Sequence, residues 1–378
     1  MLKQIKEFLK FIKLQKKKDI IFYSEGSHDT IYYKDIIKIL EEEYNIKILV
    51  LTSEKKDIAF QIKSSLTNTI FIGDGFFRTI SFMLVKTKIF VMSVPDLNNF
   101  YLKKNKSKKT KYIYIFHSVS STNAAYYKKA FDNYDIIFCR GPHQKNEILE
   151  NESINSLPPK KLIEHGCPVF DELALKELGL QNNDFKNILI APSWNKEDEL
   201  IDKDFLIDLI SRLLKFNFNV TLRLHPMTQR RKLKRINFVL SKFMGSEKFS
   251  YSSKMENKNI LKEHNILITD WSGISWEFSL MLGKITFFID TNKKIMNSDY
   301  HRFKNKAVEI ELRDKIGYLL KNYDVNELIK KINSENLYND FFNTKLKNIY
   351  FYRDKMFYNK WKSSKIAAKE INKIIINE

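Results

Sequence analysis

The chain has 378 residues, 43% of them hydrophobic, which is enough for two domains with apolar cores and excludes a disordered chain. Its formal net charge of +20 favours anionic partners, such as a phosphorylated substrate, an acidic membrane or nucleic acid. Lysine is abundant along the whole chain, so charge alone does not choose among these partners. Two cysteines, Cys139 and Cys167, are too few for a disulfide framework or a metal-ligand set, and we expect both to be small buried residues in a reducing compartment.

Residues 1–18 are predicted to form a basic amphipathic helix. The apolar stripe of this helix consists of Leu2, Ile5, Phe8, Leu9 and Ile12. With lysines beside and opposite the stripe, the helix suits the surface of an anionic membrane, but a helix that packs on its own domain has the same pattern, and both possibilities stay open. No stretch is apolar enough to span a membrane, and the N-terminus lacks the features of a signal peptide. We therefore expect a cytoplasmic protein that has an optional peripheral contact with the inner face of the cell membrane.

Short apolar runs alternate with helix-like segments in two series along the chain. The first series is 19–25, 45–53, 69–75, 88–94, 112–118, 136–141 and 161–166, and the second is 187–194, 219–226, 266–270 and 285–290. Runs of this length that are apolar on both faces predict parallel sheets built from βαβ units.

The two series predict an α/β protein with two Rossmann-like domains facing a cleft. The N-terminal domain is expected at 19–178 and the C-terminal domain at 187–343, with a polar linker near 176–186. The remaining residues, 344–378, are expected to form helices that close back on the fold.

Polar and reactive residues collect where the predicted strands end. Among them are Ser24, Glu25, His28, Asp74, Asp96, His117, His165, Gly166, Ser193, Arg223, His225 and Asp270. Because ligands of open α/β sheets bind beyond the carboxyl ends of the strands, these residues outline a ligand site.

The segment TDWSGISWEF, residues 269–278, predicts a phosphate site. The strand ends at Asp270, and Ser272 and Gly273 open a helix that starts near Trp271. Backbone N–H groups at a helix start bind anions, Gly273 permits close approach, and the Ser272 hydroxyl adds a donor. Glu277 lies beside the buried stripe of this helix, where a carboxylate can accept hydrogen bonds from ribose hydroxyls. The alternative is a helix that is capped by Asp270 and binds no ligand.

Two further segments supply candidate catalytic and binding side chains. In RLHP, Arg223 and His225 lie two residues apart on the same side of a strand, so both reach one ligand: arginine offers a fork to phosphate oxygens and histidine a donor or a proton. His117 ends a strand of the N-terminal half and is the best candidate general base, across the expected cleft from Arg223, His225 and Ser272. The alternative for His117 is a structural histidine.

Four segments together resemble the CDP-glycerol glycerophosphotransferase family, the enzymes of teichoic-acid and related phosphopolymer synthesis. EHGCPVFDEL (164–173) is similar to the family's His/Asn-Gly-x-Pro-x-x-Asp segment, and APSWNKED (191–198) to its Ala-Pro-Thr-Trp-Arg stretch. RLHP (223–226) matches its Arg-x-His, and TDWSGISWEF is similar to its Ser/Thr-Asp-Tyr-Ser-Ser-x-x-Phe-Asp block. The resemblance spans about residues 110–290.

The resemblance implies a GT-B-like fold whose C-terminal half holds the donor nucleotide. It implies transfer of glycerol phosphate, or a similar polyol phosphate, from CDP-glycerol or a similar CDP-activated donor to a hydroxyl of a cell-surface glycan or lipid-linked acceptor, with release of CMP and without a cofactor or a protein-bound metal. Such a role belongs to the cell envelope, in teichoic-acid or capsule polysaccharide synthesis. The site residues that we assign are His117 and His225 for catalysis, Arg223, Ser272, Gly273 and Ser193 for the donor phosphates, and Asp270, Glu277 and Gly166 for the nucleotide.

The chain also departs from the family pattern around the expected donor and acceptor. The family's Trp-His-Gly, followed by a lysine, is FHSVSSTN (116–123) here, with neither the glycine nor a nearby lysine. The arginine of the Ala-Pro-Thr-Trp-Arg stretch is Asn195, the second Ser of the last block is Gly273, and its Asp is Glu277. The transferred group could therefore differ from glycerol phosphate.

Three rival functions remain at this point. A GT-B glycosyltransferase with a nucleotide-sugar donor for surface polysaccharide would use the same cleft. A nucleic-acid-binding protein is disfavoured because the chain has no zinc-finger spacing, no RRM-type aromatic signature and no recognisable helix-turn-helix. A non-catalytic, membrane-peripheral scaffold would bind lipid but no nucleotide.

Overall fold

Two parallel β-sheets organise the chain, one in each of two compact units. The computed structural model describes residues 2–105, 109–175, 178, 186–195, 199–253 and 259–377. The first unit comprises Met1–Glu172, Ile295–Asn305 and Met356–Glu378, and the second comprises Leu173–Lys294 and Lys306–Lys355. Most of the predicted linker near 176–186 lies outside the described residues.

The strands of the described residues fall into two chain-order groups. The first sheet contains β1 (Ile20–Ser24), β2 (Ile48–Thr52), β3 (Thr67–Phe71), β4 (Ile89–Met92), β5 (Lys111–Ile115), β6 (Ile136–Cys139) and β7 (Lys161–Glu164). The second contains β8 (Asn187–Ile190), β9 (Asn219–Arg223), β10 (Phe249–Ser252), β11 (Ile266–Thr269), β12 (Ile285–Ile289) and β13 (Tyr318–Leu320).

Both sheets are doubly wound. The strand order is β3-β2-β1-β4-β5-β6-β7 in the first and β10-β9-β8-β11-β12-β13 in the second, and neighbouring strands pair in parallel. All eleven predicted strands are present, and the α/β class with two Rossmann-like sheets is confirmed. Two strands, β10 and β13, were not predicted.

The helices cover both faces of each sheet's hydrophobic strands. They are α1 (Leu2–Leu14), α2 (Ser27–Thr30), α3 (Lys34–Tyr44), α4 (Phe76–Met83), α5 (Pro142–Ile154), α6 (Pro168–Leu173), α7 (Asp204–Lys215), α8 (Pro226–Arg231), α9 (Leu233–Phe243), α10 (Asn259–Glu263), α11 (Ile274–Trp276), α12 (Val308–Ile316), α13 (Val325–Ile332), α14 (Leu337–Phe341), α15 (Lys347–Met356) and α16 (Ser363–Asn377). Two π-helical turns, Glu277–Met281 and Phe342–Leu346, extend α11 and α14.

Strand β1 shows why the predicted runs are apolar throughout. All five of its residues are buried. Ile21 and Tyr23 pack into the core on one face, with Phe11 of α1, while Ile20 and Phe22 pack into the core on the other face. Because helices cover both faces, no alternation between polar and apolar residues survives in the sequence.

The unit boundaries differ from the predicted domain boundaries at the C-terminus. Residues 344–378 are divided between the two units: the part up to Lys355 belongs to the second unit, and the part from Met356 belongs to the first. Helix α16 packs on α3 and places Ala367, Ala368 and Ile371 in the core of the first unit. The start of α16 is anchored by Asp171 of α6, which accepts hydrogen bonds from the Ser363 backbone (2.6 Å) and hydroxyl (3.0 Å).

Helix α1 packs on the first unit and also keeps an exposed apolar edge. Phe11 is fully buried, and Phe8 contacts Phe77 of α4 with ring centroids 5.7 Å apart. Leu2 and Leu9 remain 83% and 61% exposed. Among the described residues, none of the helices has the length and apolar character that crossing a membrane requires.

Candidate functional site

The strand order reverses beside the first strand of each sheet. These switch points lie between β1 and β4 in the first sheet and between β8 and β11 in the second. Open α/β sheets bind ligands beyond the carboxyl ends of the strands at such points, because the flanking loops diverge there. Ser193 follows β8, and Asp270, Ser272 and Gly273 follow β11, so four predicted site residues border the switch point of the second sheet.

A buried carboxylate joins the two loops at this point. Asp270 is only 2% exposed and accepts hydrogen bonds from the Ser193 backbone N–H (2.6 Å) and the Ser193 hydroxyl (3.0 Å). Burial raises the pKa of Asp270, and the hydrogen bonds from Ser193 oppose that shift. Both Asp270 oxygens thus hold Ser193, and the pair fixes the spacing of the loops after β8 and β11.

The segment after Asp270 forms a short helix that begins at Ile274, later than the predicted start near Trp271. Gly273 has helical dihedral angles (φ −61°, ψ −19°) and precedes α11, and the backbone carbonyl of Ser272 accepts hydrogen bonds from Ser275. Within the described part of the chain, the Ser272 hydroxyl has no hydrogen-bond partner and is partly exposed. Glu277 begins the π-helical turn, a feature that often marks functional sites.

The prediction that Arg223 and His225 lie on the same strand is wrong, because β9 ends before His225. The strand ends at Arg223, which is 6% exposed, and His225 is already the N-cap of α8, with Pro226 as the first helical residue. The His225 Nδ1 atom accepts a hydrogen bond from the Met227 backbone N–H at 3.1 Å. Neutral His225 therefore carries its proton on Nε2, which makes that atom a hydrogen-bond donor towards an anion.

Two basic residues near the second switch point were missed by the sequence reasoning. The Lys294 Nζ atom lies 4.9 Å from the ring centre of Trp194, and burial lowers the pKa of Lys294 to about 8. The guanidinium of Arg313, on α12, lies 3.8 Å from the ring centre of Trp271 and donates to the Ile289 carbonyl at 2.8 Å. In a chain with 65 lysines and arginines, no local pattern singles out these two.

His117 follows β5, the neighbour of β4 in the first sheet. Its Nδ1 atom is 2.8 Å from the backbone carbonyl of Ser93, which follows β4. A carbonyl oxygen only accepts, so Nδ1 carries the proton and Nε2 keeps its lone pair, as a general base requires. Burial lowers the pKa of His117 to about 4, with a smaller contribution from Arg140.

The loop after His117 is held by buried polar groups of α5. Gln144 donates to the carbonyls of Ser118 (2.9 Å) and Ser120 (3.1 Å), and Glu147 accepts from the Thr122 hydroxyl at 2.8 Å. Gln144 and Glu147 are 0% and 1% exposed. The loop has no glycine, and these bonds give it a fixed path.

Gly166 belongs to the first unit, where packing accounts for it. Its φ is +101°, and a Cβ atom would lie 2.4 Å from the Tyr358 carbonyl oxygen and 2.5 Å from the Ser363 hydroxyl. Its backbone N–H donates to the Cys139 carbonyl. The segment 164–173 therefore anchors the C-terminal segment, and the residues that gather at the second switch point do not include Gly166.

The fold is GT-B-like. The chain superposes on S. aureus MnaA in its complex with UDP with a TM-score of 0.61 at 13% identity, covering 96% of this chain and 98% of that one. For the UDP-GlcNAc 2-epimerase from Neisseria meningitidis bound to UDP-GlcNAc, the TM-score is 0.57 at 14% identity, covering 94% and 99%. These likenesses confirm the predicted fold class.

The sequence also places the chain in a family. Residues 5–294 match the family model of CDP-glycerol:poly(glycerophosphate) glycerophosphotransferase. The chain therefore belongs to this family of enzymes, as the resemblance implied. No curated protein matches the chain in sequence.

The packing of Gly166 predicts that Gly166→Ala lowers the free energy of unfolding without changing nucleotide affinity. The added methyl group meets backbone at a positive φ, so we expect a loss of about 2–4 kcal/mol. Urea unfolding measures the stability, and calorimetric titration with a cytidine nucleotide measures the affinity. The control is Gly245→Ala, where a Cβ meets open space. Weaker nucleotide binding at unchanged stability would instead support Gly166 as a nucleotide-binding residue.

Proposed function

We propose that the protein transfers glycerol phosphate, or a similar polyol phosphate, from a CDP-activated donor to a hydroxyl of a cell-surface glycan or lipid-linked acceptor and releases CMP. The observation that supports this proposal is the position of polar residues at neighbouring strand ends in a chain of this family: Ser193 and Ser272 follow the two strands of the β8/β11 switch point, and Arg223 and His225 lie at the end of β9, the neighbour of β8. Teichoic-acid or capsule polysaccharide synthesis is the setting that such a product fits.

In this proposal the second unit binds the donor. The Arg223 fork offers paired N–H donors to a phosphate, and His225 adds its Nε2–H. The Ser272 hydroxyl and the backbone before α11 supply further donors, Glu277 is assigned to the nucleotide, and Asp270 acts by positioning Ser193. Phosphoryl transfer depends mainly on positioning and on stabilising charge, both of which these groups provide.

The first unit supplies the base. The acceptor oxygen forms a bond to the distal phosphorus of the donor, and the bond from that phosphorus to the bridging oxygen breaks, so that CMP leaves with the electron pair. The acceptor proton passes to Nε2 of His117, the ring atom that the Ser93 contact leaves unprotonated. His117 is neutral at physiological pH because its pKa is about 4, so it needs no prior deprotonation.

A peripheral membrane contact is the remaining part of the proposal. The exposed edge of α1 carries Leu2 and Leu9, which are 83% and 61% exposed, between exposed lysines. Phe76 on the neighbouring α4 is 71% exposed. Apolar side chains set among lysines match an anionic bilayer, where a lipid-linked acceptor resides.

The donor class predicts selective binding of cytidine nucleotides. Calorimetric titration with CMP, CDP-glycerol, UDP and GDP should show the cytidine compounds binding at least tenfold more tightly than the others. Arg223→Lys should weaken CDP-glycerol binding about tenfold or more, because a single ammonium cannot replace the guanidinium fork. The control is Arg212→Ala, whose arginine is exposed and pairs with Asp208. Preference for UDP or GDP would instead favour a GT-B glycosyltransferase with a nucleotide-sugar donor.

The proposed role of His117 as the general base predicts that its removal lowers turnover but leaves donor binding unchanged. His117→Ala should lower kcat about 10²–10⁴-fold and leave the donor Kd within about twofold, since a base acts on the acceptor proton only. The control is His301→Ala, at an exposed histidine outside the site. Equal losses in kcat and donor affinity would refute the role.

The pKa of His117 also determines the pH at which kcat/KM falls on the acid side. A lowered folded-state pKa keeps the base active as pH falls below 6.5 and removes it only as pH approaches about 4. The kcat/KM of the wild type should therefore stay level between pH 8 and 6 as far as the base is concerned. A fall centred near pH 6.5 would contradict a buried neutral imidazole.

The membrane contact predicts that Leu2→Gln together with Leu9→Gln lowers binding to vesicles of anionic phospholipid about tenfold or more, because two apolar side chains no longer enter the interface. Co-sedimentation measures it. The matched control is Leu233→Gln, at a leucine of α9 that is 62% exposed. Unchanged sedimentation of the α1 variant would remove this part of the proposal.

A further inference from the structure

Trp194 is surrounded by three basic groups. The Lys294 Nζ atom lies 4.9 Å from its ring centre and the Arg231 guanidinium carbon 5.6 Å from it. The ring of His225 is 6.0 Å away. Trp194 directly follows Ser193, so this group adjoins the β8/β11 switch point. We call Lys294, Arg231 and Trp194 the Trp194 cluster.

The ammonium of Lys294 is not neutralised by a carboxylate. Among the described residues, none of the carboxylates forms an ion pair with it, although Asp270, Glu199 and Glu309 act on it from a longer distance. The two nearest to the switch point are already engaged. Asp270 holds Ser193, and Glu199 accepts from the Thr228 hydroxyl at 2.6 Å and lies 4.0 Å from Lys232.

Removing the Lys294 ammonium from water lowers the stability of the fold, and binding of an anionic ligand would offset this loss. Lys294 is partly buried, and this desolvation outweighs the attraction of the three carboxylates and lowers its pKa to about 8. The π-face of Trp194 compensates only part of the lost hydration. A phosphate bound beside Trp194 would complete this environment, because phosphate oxygens accept hydrogen bonds from an ammonium and from a guanidinium.

We propose that the Trp194 cluster is a second anion seat, beside Arg223 and His225, that holds the distal phosphate of the donor. The inference rests on the proposed donor site. Arg223 and His225 then serve the phosphate nearest the nucleoside, and Lys294 and Arg231 serve the phosphate that is transferred. The site as a whole recognises a nucleoside diphosphate in preference to a monophosphate, so that CMP is held less tightly than the donor once transfer is complete.

Comparison of CDP with CMP tests this seat. The wild type should bind CDP at least tenfold more tightly than CMP in calorimetric titration at pH 7. Lys294→Met keeps the aliphatic stem and removes the charge, and it should reduce CDP affinity about tenfold while CMP affinity changes less than about twofold. Arg231→Gln should act in the same direction. The matched control is Lys293→Met, at the neighbouring exposed lysine.

Two further readouts separate this role from a structural one. Lys294→Met should leave the Tm unchanged or raise it, because the variant no longer buries an uncompensated charge. CDP affinity of the wild type should fall as pH rises above about 8, where free Lys294 loses its proton, whereas Lys294→Arg should show no such fall.

The outcomes distinguish this inference from the donor assignment. If CDP and CMP lose affinity equally in Lys294→Met, or neither loses any, the seat is refuted while cytidine selectivity stands. If the protein prefers UDP and Lys294→Met still weakens only the diphosphate, the seat stands and the cytidine assignment fails. Absence of any nucleotide affinity overturns both.

Discussion

The hydrogen bonds between Asp270 and Ser193 are the constraint on which the second unit's site depends. At a switch point two parallel strands pair with each other, but the loops that follow them diverge and share no hydrogen-bond ladder. The buried carboxylate of Asp270 replaces that ladder by accepting from the backbone and the hydroxyl of Ser193. Both the Ser272 segment and Trp194 are then placed by the same pair, because each directly follows one partner.

The first unit uses a similar solution with a different acceptor. His117 follows β5, and its Nδ1–H donates to the carbonyl of Ser93 after β4. The contact spans neighbouring strand ends and also fixes the tautomer of the ring. In each unit, then, a polar bond between adjacent strand ends shapes the following loop, and in the first unit it also determines which ring atom of His117 is available for chemistry.

Much of the fold was predictable because a strand that is buried on both faces is a continuous run of apolar residues in the sequence. The two missed strands lack that signal: β10 reads FSYS and has only Phe249 buried, and β13 has three residues. The positions of Ser193, Arg223 and Asp270 at or near strand ends were also predictable, since a polar residue at the end of an apolar run is a local feature. Lys294 and Gly166 were not, because the role of each depends on a partner far away in the chain: Trp194 for the lysine, and the carbonyl of Tyr358 for the glycine.

The surroundings of Trp194 bear on the difference between this chain and the family pattern at Asn195. The family pattern has an arginine directly after its tryptophan, and this chain has a neutral amide there. Lys294, from the loop after β12, and Arg231, at the end of α8, bring two positive charges to within 6 Å of the ring centre of Trp194, the neighbour of Asn195. Positive charge is thus supplied to the same place from elsewhere in the unit. In the proposed anion seat, Lys294 and Arg231 therefore supply the positive charge that the family pattern has on the residue after its tryptophan.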